Sequence, residues 1–334
     1  MSVPLSILDL AFVAKGQSAG EAFAGCVSVA QRAEALGYRR VWYAEHHNIP
    51  SIASSATSVL IAHVAAHTRT IRLGAGGIML PNHSPLVIAE QFGTLASLHP
   101  GRIDLGLGRA PGTDPVTSRA LRVDASNAEA FPDDVLELQG YLGDESRVVG
   151  IDAVPGKGTH VPLYILGSSL FGAKLAARLG LPYAFASHFA PALLEQAVAL
   201  YRREFRPSDQ RATPHVMAGI NVIAADTTEE ARAMFAAVQR WRVKAIFGRG
   251  VGGENWSDED AQTILDSPHG ETVKAMTTHS AVGTASEVRA YVDRFAATFG
   301  ADELIVVHPA PTLEARLRSI ELLASAMPSG QRVA

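Results

Sequence analysis

The chain has 334 residues, 47% of them hydrophobic and 19% charged, enough to bury a large core in one big barrel or in two smaller domains. Its 29 Lys and Arg against 33 Asp and Glu leave a net charge of -4 with no long run of either sign, so neither nucleic acid nor an anionic membrane is an expected partner. The single cysteine, Cys26, allows no internal disulfide, fits a reducing cytoplasmic compartment, and reads as a small core hydrophobe.

Residues 5–11 form a short apolar strand that carries Asp9 and lacks the basic segment of a signal peptide; no apolar run along the chain is long enough to span a bilayer. Residues 21–36 follow with apolar side chains at helical spacing and a stop at Gly37. Strand-like 40–44 leads into helical 54–66, strand 71–80 into helix 85–98, and strand 102–107 into helix 127–142. The pairs 163–166 with 171–179, 183–186 with 192–205, and 216–224 with 229–247 make units five to seven. An additional helix at 285–299 precedes the last strand, 303–307, and its helix, 313–326. Eight such units predict one α/β domain over residues 1–327, a TIM (β/α)8 barrel. Loop insertions are expected at 108–125, 143–160 and 248–280, and a flexible tail at 328–334. The 248–280 insertion reads either as a lid or as a disordered surface excursion. A doubly wound open sheet is the competing architecture, but its GxGxxG fingerprint is missing: Gly106-Leu107-Gly108 is followed by Gly112, too far along the chain.

Residues 71–85, IRLGAGGIMLPNHSP, carry the most information. Gly74-Ala75-Gly76-Gly77 leaves the middle of a buried strand almost without side chains. That pattern marks either a ligand close to the backbone or a tight barrel corner making room for neighbouring side chains, and both readings stand at this point. Polar residues fall where strands end: Asp9, Glu45, His46, His47, Asn48, Asn82, His83, Arg109, Ser168, Ser169, Ser187, His188 and His308. In a TIM barrel these share the C-terminal mouth, where active sites are built. Ser168 and Ser169 open a helix beside Gly167 and Gly172; they would cap it, or bind a phosphate with Arg109 as counter-charge. His46 and His47 are adjacent, so a continuing strand turns one of them inward as a candidate acid/base group. His63 and His67 are four apart on a helix but lack an HExxH context and a completing carboxylate, so no metal site is predicted.

Three segments together resemble the bacterial-luciferase-like flavin-dependent oxidoreductases: Trp42-Tyr43-Ala44-Glu45-His46-His47, residues 73–81 with His83 and Pro85, and residues 101–109. Residues 162–169 and Val282-Gly283-Thr284 continue the family's order, so the resemblance covers most of the chain; AEHHN, LPNHSPLVIAEQFGTL and GRIDLGLGRAPG bring it closest to alkanal-monooxygenase-type proteins. The resemblance implies a barrel holding FMN at its mouth, with Gly76-Gly77 as a non-prolyl cis peptide under the flavin ring. It implies that His46 assists the flavin hydroperoxide step with Glu45 near the ring, that Arg109 and Ser169 lie at the phosphate with Ser168 beside them in the cofactor site, and that Leu166 and Gly167 lie beside the isoalloxazine. Gly108 stands where the luciferase large subunit has a reactive cysteine, and Ser168 where it has a carboxylate, so light emission is not expected. The implied activity is a monooxygenase that takes reduced FMN from a transiently bound flavin reductase and, with O2, oxygenates a small organic substrate. The 248–280 insertion would be its lid, and a homodimer through 54–66 and 85–98 is implied. F420-dependent hydride transfer, a non-catalytic flavin binder, and a phosphosugar-type isomerase or hydrolase are the competing readings; the last leaves the glycine wall unexplained.

Overall fold

The computed structural model describes residues 3–14, 16–110, 113–124, 126–248 and 256–326. The tail expected at 328–334 lies outside the described residues, as do 249–255 in the third insertion and 111, 112 and 125 in the first. Strands β1 (Leu5–Asp9), β2 (Arg40–Tyr43), β3 (Arg72–Met79), β4 (Ile103–Gly108), β5 (Leu163–Gly167), β6 (Tyr183–Phe185) and β7 (Val216–Ala224) pair in parallel in chain order. A short strand, β8 (Ser280–Gly283), runs along the end of β7 at residues 221–224, and β9 (Glu303–Val307) closes the ring between β7 and β1. The result is the closed eight-stranded TIM barrel that the alternating pattern predicts, with β8 as an extra strand.

The helices that wrap it are α1 (Ala19–Ala35), α2 (Thr57–Ala66), α3 (Pro85–Leu98), α4 (Pro115–Ala120), α5 (Asn127–Leu142), α6 (Leu170–Leu179), α7 (Leu194–Glu204), α8 (Thr228–Phe247), α9 (Asp258–Leu265), α10 (Gly270–Met276), α11 (Ala285–Phe299) and α12 (Leu313–Ser325). Their ends are written in the sequence. Ser18 and Glu21 form a capping box on α1, and Thr284 and Glu287 another on α11. Gly180 and Gly300 stop α6 and α11 in the left-handed conformation, which costs a glycine nothing sterically.

Strand alternation divides the interior in two. Ile7, Val41, Tyr43, Leu73 and Val306 face the helices in the main core, whereas Leu8, Trp42, Tyr164, Met217 and Ile305 fill the barrel itself. Each fully buried side chain of this size stabilises the fold by roughly 1.5–3 kcal/mol. Below that lumen layer, at the N-terminal end of the strands, sits a closed network of charges. Arg40 Nη1 donates to Asp104 Oδ2 and to Tyr164 Oη, both at 2.7 Å, and its Nη2 donates to Glu303 Oε2 at 3.1 Å. Arg72 also donates to Asp104, and Ser6 and His215 reach Glu303. Burial would push the Glu303 carboxyl up, but Arg40 and the hydrogen bonds from His215 and Ser6 outweigh it and hold the group at about 2.

That layer explains much of the glycine run. A Cβ on Gly74 would lie 2.5 Å from the Asp104 carbonyl oxygen and 2.9 Å from Trp42 Nε1; one on Gly76 would lie 2.8 Å from Leu8 Cδ1. Room for neighbouring side chains is therefore a sufficient reason for both.

Of the three insertions, 143–160 is a loop of turns, while the other two carry helices. Within 108–125, α4 is capped by Asp114, whose carboxylate also accepts from Asn48 at 3.3 Å. Gly156 of the 143–160 loop lies against α3, where a Cβ on Gly93 would come within 2.2 Å of its Cα. The described part of 248–280 is a correction: instead of a loop it forms α9 and α10 and leads into β8. Ser257 and Asp260 form a capping box on α9, and Ala261, Leu265 and Val273 bury themselves against Val243 of α8.

Candidate active site

At the C-terminal mouth the chain leaves β2 at Tyr43, and Glu45 gathers the neighbouring segments. Its carboxylate is almost fully buried and accepts from His47 Nε2 at 2.8 Å, His83 Nε2 at 2.9 Å, Asn82 Nδ2 at 3.2 Å and the Met79 amide at 2.9 Å. Its own amide donates to the Gly77 carbonyl at 3.3 Å. Burial would raise this carboxyl; the hydrogen bonds and the charge of His83 more than cancel it and hold Glu45 at about 2. With its oxygens occupied, Glu45 joins the end of β2 to the end of β3 as an ionised anchor.

His46 shares the inward parity of Arg40, Trp42 and Ala44. Its Nδ1 is buried without a hydrogen-bond partner, and burial lowers its proton affinity against the opposing pull of Glu45. His188, after β6, is its counterpart across the mouth: Nδ1 is again buried and unpartnered. Burial first, then the charges of Arg242 and His46, hold His188 down at about 3. Gly219 of β7 makes the space, since a Cβ there would stand 2.4 Å from His188 Nδ1. The mouth thus holds two imidazoles that stay neutral at pH 7.

Arg109 follows β4, and its guanidinium stacks over the ring of Phe171 at 4.1 Å, in the first turn of α6. Ser169 is the N-cap of that helix, yet its side chain makes no capping hydrogen bond; its carbonyl accepts from Tyr183 Oη at 3.0 Å. Among the described residues Arg109 has no carboxylate partner. An unpaired guanidinium beside an uncapped helix N-terminus can hold a phosphate. The strand next to β4, β3, carries the glycines. The Gly76–Gly77 peptide is cis, and a Cβ on Gly77 would lie 2.7 Å from the Gly106 carbonyl oxygen and 3.2 Å from Leu166 Cδ2. Gly167 and Ser168 are half-buried.

Other strand-end residues point away. Asp9 and His308 share the parity of the helix-facing residues: Asp9 accepts from Arg316 Nη1 at 3.0 Å, and His308 Nδ1 bonds Ser319 Oγ at 2.9 Å. His67 Nδ1 bonds the His63 carbonyl at 2.8 Å, and among the described residues no group of three or more His, Cys, Asp or Glu is placed to hold a metal. Also among those residues, no helix is long and apolar enough to cross a membrane. Two residues that sequence reasoning missed complete the mouth. Asn221, on the inward side of β7 after Met217 and Gly219, could have been found by alternation. Arg242 lies in α8 within an ordinary polar helix pattern that gives no signal.

The model of a family described as luciferase-like monooxygenase matches residues 3–303. A luciferase-like monooxygenase of Escherichia coli (strain K12) is 47% identical over 323 residues, 96% of each chain. N-acetyl-S-alkylcysteine monooxygenase of Bacillus subtilis (strain 168) is 33% identical over 341 residues, 99% of this chain and 100% of that one. Among solved structures, apo-MsnO8 superposes with a TM-score of 0.86 at 33% identity, covering 97% of this chain and 98% of that one.

Proposed function

Because the chain belongs to the luciferase-like monooxygenase family, we propose that it uses reduced FMN and O2 to oxygenate a small organic substrate at the barrel mouth. The observation that supports this reading most is the meeting of Arg109, stacked on Phe171, with the uncapped N-terminus of α6. The residues fit the cofactor: Arg109 and Ser169 for its phosphate, Ser168 and Gly167 beside them, and Leu166, Gly76 and Gly77 under a planar ring. Reduced FMN supplies the electrons with which one oxygen atom enters the substrate and the other leaves as water.

The chain's own part is placement and proton handling. His46, whose proton affinity burial lowers, can accept a proton at its imidazole and return it. Glu45 acts through others, holding His47, His83 and the end of β3 in place, so it is a positioning residue. Trp241 of α8 packs edge-on against Phe12 at 5.6 Å and would close against water once substrate is bound, with α9 and α10 packed on α8 as support. A separate flavin reductase is the proposed source of reduced FMN, as the chain carries no GxGxxG segment for a nicotinamide cofactor. A homodimer through α2 and α3 is also proposed, because Val59, Val87 and Leu98 are exposed there.

The test is anaerobic titration of the purified protein with reduced FMN and, separately, with reduced F420. Saturable binding of reduced FMN is expected. Binding of F420 alone would replace this reading with hydride transfer, and binding of neither would end it.

A further inference from the structure

The arginines of this barrel differ in what answers their charge. Arg40, Arg72 and Arg316 each meet a buried carboxylate. Arg102 has none, but its guanidinium donates to the carbonyls of Ile71 and Thr68 and to the Thr68 hydroxyl. Arg242 is half-buried at the mouth and has, among the described residues, one hydrogen bond: Nη2 to Asn221 Oδ1, at a long 3.4 Å. Burial lowers its proton affinity and no anion opposes that effect. Enclosing a cation without a counter-charge is costly unless something else answers it.

The surroundings show what would. Asn221 spends its amide on the His188 carbonyl at 2.8 Å and on Ser280 Oγ at 3.3 Å, which turns its oxygen to Arg242 and steers the guanidinium. His188 beside it is neutral, and no carboxylate lies within 4 Å among the described residues. The neighbouring helix residue, Trp241, meets Phe12 to make an aromatic wall, and Phe189 stands edge-on to His188 at 4.9 Å. The site therefore has one cationic end and an apolar flank. It is also distinct from the proposed phosphate site: Arg109 and Ser169 follow β4 and β5, whereas Arg242 answers the ends of β6 and β7.

We propose that Arg242 is the substrate-recognition residue and that the substrate is a small organic carboxylate, paired with its guanidinium, with the apolar remainder against Phe12 and Trp241. A planar guanidinium matches a carboxylate with two parallel hydrogen bonds and adds geometry to charge. This inference rests on the monooxygenase reading for the word substrate, but its test does not.

Isothermal titration calorimetry on the full chain would compare hexanoate, phenylacetate and N-acetylmethionine, each with its primary amide. At least one carboxylate is expected to bind saturably and at least tenfold tighter than its amide. Arg242→Gln should abolish that preference, and Arg242→Lys, which keeps the charge but not the fork, should retain part of it. Absence of carboxylate binding across the panel, or a preference that survives Arg242→Gln, would overturn the proposal. Should Arg242→Gln fail to fold by circular dichroism, Arg242→Lys decides alone: unchanged affinity and preference overturn it. Reduced FMN titrated into the same preparations reports on the flavin reading separately, since loss of FMN binding by the unaltered protein leaves the carboxylate result standing.

Discussion

The two ends of the barrel treat charge in opposite ways. At the N-terminal end Arg40, Asp104, Glu303, Arg72 and His215 are closed on one another, with Ser6 and Tyr164 taking up remaining bonds. At the mouth, among the described residues, His46 and His188 keep buried ring nitrogens without partners, and Arg109 and Arg242 lack carboxylates. Both sets line the same lumen on inward-facing positions or just beyond them. Where polarity is satisfied internally it serves the fold, and where it is left open it is available to a ligand.

Breaking the closed end should have the largest effect on the folded state. Arg40→Ala strands Asp104 and Glu303 in a dry interior, and we expect a loss of about 3–5 kcal/mol in urea unfolding. A change under about 1 kcal/mol would show the network to be dispensable. At the open end, His46→Ala should leave urea stability and reduced FMN binding close to those of the parent. It should slow product formation by about 10²–10⁴-fold, the usual worth of a positioned acid/base group, in single-turnover assays with the substrate. If FMN binding were lost instead, His46 would belong to the cofactor site. Arg109→Ala should weaken reduced FMN about ten- to a hundredfold, as expected for a charge-assisted hydrogen bond to phosphate, read by anaerobic titration.

Acid sharpens the contrast more gradually. His188 and His308 are held at about 3, far below the ordinary value near 6.5, so the unfolded chain binds protons that the folded chain refuses. Their contribution is complete above about pH 6.5 and is lost as pH falls toward 3, at up to about 1.4 kcal/mol per pH unit for each. Glu45 and Glu303, held at about 2, add a second loss below the ordinary carboxylate range. Urea unfolding from pH 8 to 4 should therefore show stability falling from about pH 6.5; a flat profile down to pH 5 would contradict the buried neutral state of the two histidines.

Much of this was legible in the sequence because two periods, two for strands and 3.6 for helices, repeat through eight units. Alternation narrowed the mouth imidazole to His46 or His47 and the resemblance pointed to His46, while Arg109 with Ser169 followed from the chemistry of helix N-termini. Asp9 and His308 were assigned to the mouth by position alone, although their parity with Ile7 and Val306 turns them to the helices. The charged plug was not recognised, since Arg40 and Glu303 read as polar strand ends and only barrel closure brings them together. β8 is too short to show a period, and α9 was hidden by the acidic first turn that stabilises it. Arg242 could not be found, because nothing local distinguishes it from a solvated helix residue.

The most direct test is the thermal unfolding midpoint of Arg40→Ala and Arg109→Ala beside the parent protein, each measured anaerobically with and without saturating reduced FMN. The account predicts that Arg40→Ala lowers the midpoint without cofactor while keeping the shift that FMN confers. It predicts that Arg109→Ala keeps the cofactor-free midpoint and loses most of that shift. A lowered cofactor-free midpoint for Arg109→Ala with the FMN shift intact would contradict the division between a closed end that serves the fold and an open end that serves the ligand.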